Sequence, residues 1–327
     1  MDSIFEKWNE LPPLMRYECV KWMDFTTRMR LRQVSKSEKS LVESAPKYKL
    51  GSAIIDWDAC THMPVARCFN LSDRNNPEFL VGTSSRDDSR IFDEKGGKLS
   101  LHVLKFADIE NVKLIGLLDN PDDVEKLLSE ISNHVPFRFK NFQLDIDNWK
   151  VAEFFLKNCK NLESLEIANY GGCPFKFPLE KLIGIPSVVK AKTLFLKIAQ
   201  SIDGAGKLIK KWIVSDIEIG TKFQGGITDL GIIEVFGKQF KNRLISKRPD
   251  ELRIKTDNSA KHILIRKIHV PHASVAFVSF HVIPANLKES EYEKNDEWVN
   301  VIMYEQEAMM VNHFNDMMRS ANHQGRF

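Results

Sequence analysis

Several familiar signals are missing from this 327-residue chain, and each absence removes a class of function. No Cys-x-x-Cys pair occurs, and the five cysteines (Cys19, Cys60, Cys68, Cys159 and Cys173) are scattered and odd in number. That pattern argues against a thiolate zinc site or a disulfide framework and reads as reduced thiols in an intracellular protein. There is no Gly-x-Ser-x-Gly elbow of a serine hydrolase. A Cys–His pair is left open, because such partners lie far apart in sequence, but nothing points to one. Neither sign of charge dominates: 47 Lys and Arg face 44 Asp and Glu, a net charge of +3, so no global field attracts nucleic acid. No apolar run approaches the roughly 20 residues needed to span a bilayer, and no membrane partner is expected. The first ten residues, MDSIFEKWNE, carry acids and no apolar segment, so no secretory signal is expected.

Weaker motifs dissolve on inspection. Gly204-Ala-Gly-Lys207 lacks the first glycine and the Ser/Thr of a phosphate loop, and reads as a helix entry. Gly225-Gly226 reads as a turn. His269-Val-Pro-His272 has no acidic or thiol companion at metal-ligand spacing. Lys207, Lys210 and Lys211 beside Trp212 read as a solvated helix face. The stretch SSRDDSR, within the turn-rich span 71–98, reads as an exposed loop. No metal or cofactor is expected.

What is present is a globular composition, 43% hydrophobic and 28% charged, long enough for one small and one large domain. The small one is Trp8–Ser44. Leu11-Pro12-Pro13 suits a first helical turn, where the missing proline N–H has no partner in any case. Met15, Cys19, Trp22 and Met23 recur at spacings of three and four, which predicts a helix face. Asp24-Phe25-Thr26-Thr27 breaks that helix and offers threonine caps to a second one carrying Met29, Leu31 and Val34. Ser35-Lys-Ser-Glu38 fits a capping box opening a third helix with Leu41 and Val42. Three short helices bury little alone and are expected to lean on a partner.

This pattern resembles an F-box of the nematode type. Leu11-Pro12 matches the family's start. Met15, Cys19, Val20 and Met23 match its buried apolar positions, and Val34-Ser35-Lys36 its Val-Ser turn. Two residues depart from the family: Leu14 stands where an acid is common, and Glu38 where tryptophan is common. The resemblance implies binding to a Skp-type adaptor, and through it to a cullin–RING ubiquitin ligase. The matched positions expected to carry that binding are Leu11, Pro12, Met15, Val20, Met23, Leu31 and Val34. Some of these must also hold the module's own core.

Residues 50–327 read as a second domain. Ser52–Asp58 and Val65–Leu71 are expected strands. From residue 109 an apolar-x-x-apolar-x-apolar hexad recurs. Its copies are Ile109/Val112/Leu114, Phe139/Phe142/Leu144, Leu162/Leu165/Ile167, Ala191/Leu194/Leu196 and Val214/Ile217/Ile219, with Pro249/Leu252/Ile254 a poor sixth. Between them lie helical faces: Val124, Leu127, Leu128, Ile131 and Val135 after the Asn120-Pro121 start, then Val151, Phe154, Phe155 and Cys159, then Leu208, Ile209 and Trp212, then Leu230, Ile233, Val235 and Phe236. Strand–helix alternation predicts an α/β fold with parallel strands. An irregular leucine-rich-repeat-like solenoid fits it, with a doubly wound sheet as the alternative. Following an F-box, such a sequence is similar to the FTH-type F-box-associated domain.

Near the end, His262–Val270 and Ala273–Ile283 read as strands, the second buried on both faces. Trp298, Ile302, Met309 and Phe314 predict a terminal helix, and Met309, Met310, Met317 and Met318 read as packing. The functional expectation is a non-catalytic, intracellular substrate receptor (cytoplasmic, nuclear or both) that also binds an unidentified protein target. The candidate solvent-facing positions for that target are Gln143, Asp145, Glu163, Glu166, Lys197, Glu218 and Lys222. A leucine-rich-repeat scaffold unrelated to ubiquitin, and an α/β enzyme with an unrecognised site, are the rival readings.

Overall fold

A computed structural model describes residues 7–58, 63–69, 79–81, 104, 107–116, 121–132, 135–146, 148–168, 178–270, 275–292, 298–300 and 303. The expected terminal methionines, the Pro271-His272 pair and most of the span 71–98 lie outside these residues. The chain forms two compact units, one of residues 1–116, 120–140 and 158–160, the other of 117–119, 141–157 and 161–327.

The first unit opens with three helices, α1 (Pro13–Trp22), α2 (Phe25–Val34) and α3 (Lys36–Ser44). Strand β1 (Tyr48–Asp58) follows, antiparallel to β2 (Met63–Phe69), which pairs in turn with β3 (Phe79–Val81). The short β3 interrupts the stretch expected to be wholly loop. On its other edge β1 runs parallel to β4 (Ala107–Gly116), setting Leu50, Ala53 and Ile55 against the first hexad, Ile109, Val112 and Leu114. All six are buried. Helix α4 (Pro121–Ile131) buries Val124, Leu127 and Ile131 as its periodicity predicts. Val135 is 38% exposed and beyond the helix, a correction with a simple cause: Pro136 follows it, and the residue before proline disfavours helical backbone.

In the second unit the expected alternation appears. Strand β5 (Phe137–Ile146), whose first residues pair with β6 (Cys159–Lys160) in the first unit, is followed by α5 (Trp149–Asn158) and β7 (Ser164–Ile167). Helices α6 (Leu179–Leu182) and α7 (Pro186–Lys190) precede β8 (Thr193–Gln200), and α8 (Ile202–Val214) precedes β9 (Lys222–Ile227) and α9 (Ile232–Gln239). Strands β5, β7, β8 and β9 are successive parallel neighbours. Their register lines up Phe142, Leu165, Leu194 and Phe223 as partners at intervals of 23, 29 and 29 residues. Three of these four are hexad centres.

The fifth hexad is corrected. Val214 ends α8 at 66% exposure, Ile219 is 50% exposed, and the strand begins only at Lys222. Ser201 caps α8 through the Gly204 N–H, and its apolar face continues through Ile213, so the helix consumes residues that the repeat would have given to a strand. The parallel order also ends at β9. Strands β10 (Leu244–Arg248), β11 (Glu251–Lys255), β12 (Lys261–Ile268) and β13 (Ala276–Pro284) are antiparallel, with β13 beside β9. Even so, the buried column continues across them as Phe223, Phe280, Ile265 and Leu252. The sixth hexad is therefore a strand, antiparallel where a parallel one was expected. A bulge separates Leu244 from Ser246 in β10.

Helices cover this column: Phe155 of α5 lies 5.7 Å from Phe142, and Phe236 of α9 lies 6.1 Å from Phe280, which stacks on Phe223 at 4.9 Å. Residues 276–283 are buried throughout, as expected of a strand covered on both faces. On the other face Phe277 packs with Trp298 and Val299. Gly225 lies mid-strand and not in a turn; a Cβ there would sit 2.9 Å from the Leu196 carbonyl oxygen, so the β8–β9 approach needs glycine. Gly204 and Gly206 lie inside α8, against Glu180 and Gln239.

Strand alternation sends Gln143, Glu166, Lys197 and Lys222 to the face opposite the column, and Lys197 pairs with Glu166 at 2.8 Å. Two other candidates for that face are corrected: Asp145 is buried, and Glu218 lies in the turn after α8. Glu163 is exposed just before β7.

Arg253 on β11 is buried and spends all five N–H donors, on His262 Nδ1 (2.9 Å), the Leu287, Pro284 and Ala285 carbonyls and the Tyr292 hydroxyl. His262 must stay neutral to accept. Its pKa is lowered chiefly by burial and then by Arg253 and Lys255. The unfolded chain therefore takes up this proton first, so stability should fall as pH drops through about 6.5 and be flat above it. Urea midpoints of the native chain and His262→Asn, compared across that range, should show a shallower acid dependence in the variant.

Candidate adaptor-binding site

The helical module is held by three local devices. Pro13 occupies the first turn of α1, as Leu11-Pro12-Pro13 predicts. Asp24 caps α2, its carboxylate accepting from the Thr27 N–H at 2.7 Å and the Thr27 hydroxyl at 2.8 Å. Thr27, expected as a cap, is thus the partner of the cap: Asp24 stands one position before the helix, where its carboxylate reaches a free N–H group. Ser35 caps α3, accepting from the N–H groups of Ser37 (3.1 Å) and Glu38 (3.3 Å).

Glu38, where the family pattern has tryptophan, is buried in the module's interior. Its carboxylate accepts from the Ser35 hydroxyl and meets Arg16 of α1 at 3.4 Å. The Ser35 hydrogen bond is the main reason its pKa lies below the ordinary carboxylate value; its own N–H, the Trp8 indole and Arg16 act the same way, and burial opposes them. Stability from this carboxylate is present above about pH 4.3 and is lost as pH falls through the lowered value. Removing the cap with Ser35→Ala should cost about 1 kcal/mol, read as a lower urea midpoint at neutral pH.

Buried Arg28 ties the helices to the following chain. It donates to the carbonyls of Met23 (3.1 Å), Lys21 (2.7 Å) and Pro46 (2.6 Å) and lies over the Tyr48 ring, itself edge-on to Phe25. Arg32 of α2 pairs with Glu43 of α3 at 2.7 Å.

The structure separates the two jobs that sequence left mixed. Val20 and Leu31 are fully buried, so they hold the module together, with Phe25, Met29 and Val42. Leu11 and Met23 are half-buried. Pro12, Met15 (57% exposed) and Val34 (71%) are open. Two residues beyond the seven matched positions are more exposed still: Leu14 at 72% and Trp22 at 88%. Trp22 was visible in the three-and-four spacing with Met15 and Cys19, while Leu14 was visible only as a departure. Met15 and Cys19, matched to buried family positions, lie instead with Trp22 on its outer face, and Val20 marks the inner one. Helix α1 is therefore apolar on both sides, and the outer side leaves large side chains in water.

Against known families, the F-box domain matches residues 8–50. An F-box domain is found here. No curated protein and no solved structure matches the chain. The F-box supports a general role in binding the adaptor of an SCF-type ubiquitin ligase, and proteins with this domain are generally non-catalytic. Among the described residues no group of three His, Cys, Asp or Glu could hold a metal ion, and no helix is long and apolar enough to cross a membrane.

Proposed function

We propose that the chain is a substrate receptor of a cullin–RING ubiquitin ligase. In this reading residues 1–49 bind a Skp-type adaptor and residues 50–327 bind a protein target. The observation that carries it is the outer face of the F-box helix α1, where Leu14, Met15 and Trp22 stand 72%, 57% and 88% exposed although all are large and apolar. Burying such anchors is how a protein interface gains most of its affinity. Val20 and Leu31 contribute indirectly, by holding α1 and α2 in shape. The sheet face bearing Gln143, Glu166, Lys197 and Lys222, beyond the part where Trp298 covers Phe195 and Phe277, is the proposed region for the target. The receptor performs no bond chemistry; its contribution is proximity, which raises the effective concentration of target lysines beside a charged ubiquitin carrier.

Co-purification of the full chain with a Skp-type adaptor tests this. A stable one-to-one complex is the expected result. A folded, monomeric chain that passes the adaptor by would overturn the receptor reading in favour of an interaction scaffold unrelated to ubiquitin.

A further inference from the structure

The second unit holds a cleft of about 530 Å³ between the end of α8, the end of α9 and the single helical turn Lys241–Arg243. Four cations line it, Lys210, Lys238, Lys241 and Arg243, and no carboxylate does. Arg243 is paired with Asp257 at 2.7 Å, whereas Lys210, Lys238 and Lys241 form no ion pair with a described residue. Helix ends explain part of this charge. Each C-terminus carries about half a negative elementary charge, so two ends offset about one cation. Glu234, one turn back on α9, offsets part of the Lys238 charge, so the three lysines leave an excess of between about one and two positive charges.

The remaining lining chooses between anions. Val214 supplies exposed apolar surface over the nearly buried Ile213 and Phe240, and the Gln239 and Asn242 amides supply donors and acceptors. Phe240 is 5% exposed and presents no ring face for a base to stack on. The chain as a whole adds little attraction for a polyanion, since its net charge is only +3. An apolar floor ringed by cations and amides suits a peptide that alternates acidic and aliphatic side chains.

We infer that this cleft binds an acidic–aliphatic peptide segment of a partner protein. The inference stands on the cleft alone and is independent of adaptor binding by the F-box. Fluorescence anisotropy of a short labelled peptide alternating Glu and Leu, added to the full chain, is the test. Saturable binding is expected, weakened at high salt, and at least about tenfold weaker for Lys238→Glu/Lys241→Glu. Both residues are exposed, so the variant should fold as the native chain does, checked by its urea midpoint. Absence of binding, or equal binding by the variant, overturns the proposal. Tighter binding of a single-stranded oligonucleotide, or full displacement by millimolar inorganic phosphate, overturns it too, assigning the cleft to nucleic acid or to a small anion.

Discussion

Replacing Leu14, Met15 and Trp22 together by alanine should weaken adaptor binding at least about 30-fold and leave the fold intact. Truncating one interface anchor costs about 2 kcal/mol or more, and a desolvated tryptophan is the strongest kind. The same side chains stabilise the free chain little, because all three are more than half exposed and surface substitutions shift stability by about 0.5 kcal/mol at most. Titration calorimetry against a Skp-type adaptor reads the first effect and a urea melt the second. Val20→Ala is the contrasting variant: Val20 has no exposure, so its loss should lower the unfolding midpoint. Undiminished binding by the triple variant would move the adaptor surface elsewhere on the chain.

Phe280→Ala should destabilise the second unit by about 3–5 kcal/mol, the range for removing a buried aromatic. Phe280 is fully buried at the centre of the column, stacked on Phe223 and edge-on to Phe236, so its removal opens a cavity between strand and helix. Ile219→Ala should change stability by no more than about 0.5 kcal/mol, because that side chain is half exposed outside the sheet. Urea unfolding of both variants distinguishes the observed register from the one in which the fifth hexad supplies a strand. A large loss at Ile219 and a small one at Phe280 would refute the observed register.

The legible parts of the fold were those where local chemistry decides. The Ser35 cap, the Pro13 start and the faces of α4 and α8 follow from nearby residues alone. Phe142, Leu165 and Leu194 were legible as a column because each lies in a short parallel strand with a helix before the next. Phe223 was not, since Gly220 and Gly225 stand at the flanking apolar positions of its hexad while Val214, Ile217 and Ile219 imitate one. Strand direction was hidden beyond α9, where no helix separates the strands: Leu252 and Ile265 carry the same apolar signal in either orientation, and pairing with β13 decides. In the F-box, spacing found the outer face of α1, while the family match gave Met15 and Cys19 the wrong side, because a helix with apolar residues on two sides has no preferred inside until its neighbours are known. Of the basic cleft, Lys238, Lys241 and Arg243 stand close together in sequence, but only the fold brings Lys210 of α8 to the same lining.

Strand β10 has a further meaning for how the protein behaves at high concentration. It stands at the end of the strand order, where open N–H and C=O groups could template pairing with another molecule. It is only five residues long, is bulged after Leu244, carries Lys247 and Arg248, and is followed at once by Pro249. Lys247 is drawn to Glu234 and Arg248 to Glu289, which keeps charge along this border. Together these features blunt the border against strand-by-strand aggregation, so the broad sheet of the second unit is protected on this side from growing into a fibre.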